Sequence, residues 1–156
     1  MFDILIIHKS INNIYKSIIT NLAHQMSAHP KIPENKTFNV SEPWFSLIQS
    51  GQKSVEGRLA KSRFAEIQVG DLLKWTNSEL VGKDLKPIAR EFVTRVSAIT
   101  YYSDFEKYLA TERLKNCLPG VRTIKDGVAV YHKFYPKEER QKYKVMAIHL
   151  EVLPAK

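Results

Sequence analysis

The sequence predicts an α+β domain, a small β-barrel with short helices flanking it, preceded by a separate amphipathic helix. Three observations lead there. Segments near 55–59, 72–76, 88–99 and 145–153 read as strands, those at 55–59 and 88–99 with side chains alternating between two faces. Short helical segments with their own start and stop signals lie between them, without a regular βαβ repeat. The first 29 residues carry a single apolar stripe and stand apart. Closing so few strands into a barrel removes their free edges, which is why a barrel is expected rather than an open sheet.

The stripe comprises Ile4, Ile7, Ile11, Ile14, Ile18, Leu22 and Met26, at spacings of three and four. That is one face of an amphipathic helix ending before His29-Pro30. Residues 1–36 are therefore taken as helix and linker, with residues 4–26 available to a protein partner or to self-association.

Residues 37–153 form the expected domain. Phe38-Asn39-Val40 reads as a short strand. A helix over 41–50 follows, with Pro43 in its first turn, Ser41 or Glu42 as cap and Gly51 as stop. Trp44, Leu47 and Ile48 give it a buried face. Val69-Gly70-Asp71 is a turn before the strand at 72–76, and 77–87, with Gly82, Lys83, Lys86 and Pro87, reads as a mobile basic loop. In the long strand Phe92, Thr94, Val96 and Ala98 share a face. Ser103 with Glu106 is a capping box opening a helix whose core face is Phe105, Tyr108, Leu109 and Leu114. Thr123 with Asp126 opens another, over about 124–135, burying Val128, Tyr131 and Phe134 or Tyr135. Residues 137–143 are a polar turn or short helix, and 145–153 the closing strand.

A net charge of +8 favours an anionic partner such as nucleic acid. The apolar fraction of 44% is ordinary for a domain with a core. The lone Cys117 excludes an internal disulfide framework and a cysteine-based zinc site, and fits an intracellular, cytoplasmic protein. No apolar run approaches the roughly 18–20 residues of a membrane span, so no membrane role is expected. No metal or cofactor site is read, because His8, His24 and His29 lack ligand spacing.

The most informative stretch is Gly51-Gln52-Lys53-Ser54-Val55-Glu56-Gly57-Arg58. Residues two apart in a strand share a face, so Glu56 and Arg58 point the same way and Lys53 approaches from the turn. Two readings stay open: three charges converging at one mouth, or an ion pair that only pins the strand.

The run Glu42-Pro43-Trp44, Ile48, Gly51-x-Lys53-x-x-Glu56-x-Arg58 and Gly70-Asp71 resembles the ASCH domain, of the PUA-like superfamily. The resemblance continues through Tyr102-Ser103-Asp104-Phe105, Leu118-Pro119-Gly120 and Tyr131 with Phe134-Tyr135, and so covers about residues 37–153. It implies a small PUA-like β-barrel with helices against its mouth, a cleft into which the motif points, and RNA binding. It also implies an enzymatic alternative. One branch of the family hydrolyses the acetyl group of acetylated cytidine nucleosides with the motif lysine, a threonine three residues later and a glutamate from the helix after the long strand. Other members are described as ribonucleases. Here the lysine is Lys53, Glu56 stands at the threonine position, and the later glutamate falls at Glu112.

The expected ligand is RNA, single-stranded or structured, or a modified nucleoside. Gly51, Lys53, Glu56, Arg58, Arg63, Trp75, Tyr102 and Tyr131 are the candidate binding residues, with Lys61, Lys83 and Lys86 on a basic rim. As an amidohydrolase or ribonuclease the protein would use Lys53, Glu56 and Glu112. The plainer alternative for each aromatic is core packing.

Overall fold

The computed structural model describes residues 31–78, 80–81, 86–87 and 90–154. The helix expected over 4–26 and the loop residue Lys83 lie outside them.

Seven strands and five helices are described: β1 (Thr37–Asn39), α1 (Trp44–Gln49), β2 (Val55–Leu59), β3 (Leu72–Asn77), β4 (Leu80–Val81), β5 (Lys86–Pro87), β6 (Arg90–Tyr102), α2 (Phe105–Glu112), α3 (Leu114–Cys117), α4 (Ile124–Phe134), α5 (Lys137–Lys142) and β7 (Val145–Val152). Five of the strands form one sheet in the order β1-β3-β6-β7-β2, curled into a half-barrel. β1 runs parallel to β3, and the other pairs are antiparallel. The fold is thus the expected α+β class, a curled, barrel-like sheet with short helices around it. The stretch read as a basic loop contains a small hairpin, with Leu80 opposite Pro87 and Val81 opposite Lys86.

β7 divides the interior. Because side chains alternate along a strand, Met146, Ile148 and Leu150 enter one core with Phe38, Phe45, Ile48, Leu73, Trp75 and Val96. Val145 and Ala147 face the other way, into a second core with Val55, Leu59, Phe105, Tyr108, Leu109, Cys117 and Tyr131. β7 is therefore covered on both faces. The β6–β7 register shifts between Val96 and Ala98, a bulge of the kind that tightens twist and helps a sheet curl.

Several local details depart from the sequence reading. The buried pair of α1 is Phe45 and Ile48, while Trp44 and Leu47 are half-buried. Phe45 and Ile48 are three apart, so the stripe turned by one residue. Pro43 precedes α1, and Glu42 accepts hydrogen bonds from the Ser46 N–H (3.2 Å) and hydroxyl (2.7 Å) in the role of cap. Gly51, at φ +76°, ends that turn and donates its N–H to the Ile48 carbonyl. The cap of α2 is Asp104, one residue later than expected: its carboxylate accepts the Lys107 N–H at 2.8 Å, and the Ser103 hydroxyl only buttresses it at 2.6 Å. Leu114 belongs to the separate turn α3. The Thr123 cap of α4 is as expected, accepting the Asp126 N–H at 3.1 Å.

Gly57 is required by packing. A Cβ there would lie 2.7 Å from the Tyr108 ring, whose hydroxyl bonds the Val55 carbonyl at 3.3 Å. Gly57 has Val55 and Leu59 two residues to either side, so the strand presents its narrowest point to the largest side chain of α2. Gly57→Ala is expected to destabilise the domain by about 1–3 kcal/mol through overpacking, read by urea unfolding. An unchanged midpoint would show that Tyr108 yields.

Candidate functional site

The turn after α1 brings Lys53 beneath the start of β2 and α3. Its ammonium has three N–H donors. They meet the Val55 carbonyl at 3.1 Å, the Cys117 carbonyl at 2.5 Å and Glu56 Oε2 at 3.0 Å. Lys53 is only 3% exposed. Its charge is spent inward, tying β2 to the end of α3. It also lies 5.8 Å from the Trp44 ring centroid.

Glu56 is buried between two cations. Its Oε1 accepts the Arg58 Nε–H at 2.6 Å, opposite the Lys53 contact on Oε2. Burial pushes the Glu56 carboxyl up, but the charges of Lys53 and Arg58 outweigh it and hold the group below the usual carboxylate range. The cluster is ionised at neutral pH and carries one net positive charge. Arg58 is the outermost member, with its side chain 27% exposed and its guanidinium 4.8 Å from the Phe64 ring. The two readings of the motif coincide: the charges converge, and they do so as a buried ion cluster.

That cluster borders a cavity of about 340 Å³ lined by Asn39, Val40, Ser41, Trp44, Lys53, Glu56, Gly57, Arg58, Leu118, Val130, Tyr131, Phe134 and Tyr135. The walls are aromatic. Tyr131 is buried and stacks on Phe105 at 4.2 Å, with Tyr135 on the same ring at 5.6 Å. Burial pushes the Tyr131 and Tyr135 hydroxyls up, so both are neutral at pH 7. Phe134, expected as a candidate for burial, is instead 66% exposed on the rim.

Of the residues singled out from sequence, Lys53, Glu56, Arg58 and Tyr131 come together here. Gly51 shapes the turn but does not line the cavity. Arg63 lies outside it, donating to the Thr37 carbonyl at 3.0 Å with its guanidinium 4.4 Å from the Phe38 ring. Trp75 is fully buried in the core, its indole N–H bonded to the Thr94 hydroxyl at 2.8 Å, and it has no face open to a ligand. Tyr102 and Glu112 pair with each other at 2.6 Å, and His149 Nε2 approaches the same Glu112 oxygen at 3.2 Å. Neither Tyr102 nor Glu112 lines the cavity. Lys61 is engaged by Glu139 at 2.5 Å. Among the described residues no group of three His, Cys, Asp or Glu could hold a metal ion.

Sequence reasoning missed Trp44, Phe134 and Tyr135 as lining residues. The signal was available. Trp44-Phe45 and Phe134-Tyr135 are adjacent aromatics on or at the end of helices. In each pair one member is left at least partly open: Trp44 is half-buried beside the buried Phe45, and Phe134 is exposed beside Tyr135.

Glu56→Gln leaves Lys53 and Arg58 without their counter-charge. Breaking a buried ion network in this way typically costs about 3–5 kcal/mol. Because the folded Glu56 carboxyl titrates below its unfolded counterpart, its stabilisation is present above the unfolded pKa and is lost as pH falls through the folded one. Urea unfolding should show a large deficit for Glu56→Gln at pH 7 that shrinks on acidification. A deficit independent of pH would contradict the ionised cluster.

Comparison with known proteins bears on the fold and family of this chain. The ASCH domain profile matches residues 38–154. The crystal structure of a hypothetical protein, PH0355, is 34% identical with a TM-score of 0.63, covering 75% of this chain and 97% of its own. The solution NMR structure of a protein from Pyrococcus furiosus is also 34% identical, with a TM-score of 0.60, covering 76% of this chain and 97% of its own. No curated protein matches the chain. With a profile match across the whole sheet and its helices, and two structures related at this level, the chain belongs to the ASCH domain family, whose members are generally RNA-binding-like.

Proposed function

We propose that the protein binds RNA by taking one unpaired base, or a free nucleoside, into the cavity between Trp44, Tyr131 and Tyr135. The observation that carries this reading is an aromatic-walled cavity ending on a charged floor. Its volume of about 340 Å³ falls at the small end of ligand pockets, suited to a base or nucleoside and far too small for a duplex. Aromatic faces stack any base, and a polar floor sets its orientation. Glu56 has two oxygens with about four acceptor positions, of which Lys53 and Arg58 use two, so it still offers acceptors. Asn39 and Ser41 add polar groups to the lining. Net charge of +8 supplies the attraction for phosphates.

The hydrolytic alternative finds no support in this arrangement. Lys53 has each of its donors engaged, leaving none to stabilise an oxyanion. Glu56 is clamped by two cations and held below the range of a general base suited to neutral pH. Glu112 is bonded to Tyr102 and His149.

Binding of a short single-stranded RNA, measured by fluorescence anisotropy across a salt series, tests the proposal. Phe134→Ala sits on the exposed rim, where substitution spares the core. It should weaken binding by roughly 5- to 150-fold, the worth of one stacked base. Affinity should fall steeply with salt, and a duplex of the same sequence should bind less tightly. Equal affinity of Phe134→Ala and wild type, or no RNA binding at low salt, would sink the reading.

A further inference from the structure

A second cavity, of about 240 Å³, lies at the corner where α4 meets α5 and is lined by Asp104, Phe105, His132, Lys137, Arg140, Gln141 and Val145. We infer that it is a binding site for a phosphate group, held by Arg140, Lys137 and His132. Nothing in the base-binding reading requires this site, and it rests on different residues.

Arg140 is held in place before any ligand arrives. Its Nε–H donates to the Tyr135 carbonyl at 2.9 Å, and Nη1 lies 2.7 Å from His132 Nε2. These two contacts fix the plane of the guanidinium and leave the rest of its fork of N–H donors for the cavity. A fixed fork loses little freedom on binding and matches the tetrahedral oxygens of phosphate. Since an arginine can only donate, His132 must accept at Nε2, which requires a neutral ring. Burial and the charge of Arg140 lower the His132 pKa, in keeping with a neutral ring. Nδ1 then carries the hydrogen and is a further donor.

Lys137 has no carboxylate within ion-pair distance among the described residues, unlike Lys61, which Glu139 holds on the same helix. Gln141 adds an amide. The one acidic member, Asp104, is committed elsewhere. Its oxygens accept the Lys107 N–H and the Ser103 hydroxyl, and its charge sits at the N-terminus of α2, whose dipole opposes it. Two cations and two neutral donors remain for an anion.

The site is also placed to serve the first cavity. Phe105 lines this one, while Tyr131 and Tyr135, stacked on Phe105 at 4.2 and 5.6 Å, line the other. The two cavities share one aromatic wall. A strand with a base on one side could lay a backbone phosphate on the other, and a free phosphate or nucleotide could also occupy the corner.

The test follows the His132 ring signals by NMR in the full-length protein during titration with inorganic phosphate, and separately with a short single-stranded RNA. Phosphate should move those signals saturably, and Lys137→Ala should weaken the effect by about tenfold or more, the loss of one charge-assisted contact. Arg140→Gln should weaken it further. Lys137→Ala alters an exposed side chain, so it remains informative if Arg140→Gln fails to fold. RNA moving the same signals would identify the backbone as the source, and movement by phosphate alone would identify a free phosphate. Either result supports the site. No movement with either probe, or an unchanged response in Lys137→Ala, would overturn it. Phe134→Ala separates the two ideas, because it should leave the phosphate titration intact even where RNA binding is lost.

Discussion

The carboxylate of Glu56, held between Lys53 and Arg58, is the constraint on which the rest of the site depends. Without Glu56, Lys53 and Arg58 would face one another under the cavity as uncompensated cations. With it, Lys53 can stay buried and tie the start of β2 to the end of α3 through the Val55 and Cys117 carbonyls. Arg58 is in turn oriented toward the cavity. A buried ion cluster of this kind is weak evidence for stability, since its desolvation cost offsets much of the attraction. Its value here is geometric: it fixes one floor for a pocket walled by residues of α1 and α4 and of the segments that follow α3 and α4.

That division of labour changes how the motif is understood. The lysine is the most buried of the three charges and faces the backbone. The arginine is the most exposed and faces the cavity. The glutamate joins them. In a chain with a hydroxyl at position 56, the lysine would lack this partner and its ammonium would be freer to meet a ligand. The carboxylate here holds both cations in place. Gly57 belongs to the same design, because only a residue without a side chain lets β2 approach Tyr108 while Glu56 and Arg58 project to the other side.

Much of this was legible in the sequence, and for identifiable reasons. The strand at 72–77 alternates in burial, the one at 145–152 shows as an apolar run buried on both faces, and the Thr123 cap shows through its spacing to Asp126. Strand periodicity and a glycine-ended helix placed Lys53 near Glu56 and Arg58 but left open whether the three charges converge or only pin the strand; the contacts of Glu56 with both cations required the structure. The aromatics were less legible. Trp75 and Tyr131 are both buried, in different cores, yet only Tyr131 also lines the cavity, which depends on how α4 packs. Glu112 could not be placed from sequence, because the turn at Arg113, with φ +69°, sets where α2 ends. The fork of Arg140 was invisible for the same kind of reason: its partners, a carbonyl and a histidine ring, are set by the α4–α5 corner.

Photo-crosslinking tests the central claim most directly, that one base enters the cavity above the Glu56 cluster. Single-stranded RNA is irradiated with the full-length protein and the modified peptides are sequenced by mass spectrometry. The account predicts crosslinks at Trp44, Tyr131, Phe134 or Tyr135, the aromatic residues that line the cavity. Crosslinks confined to other residues, with these four unmodified, would contradict it.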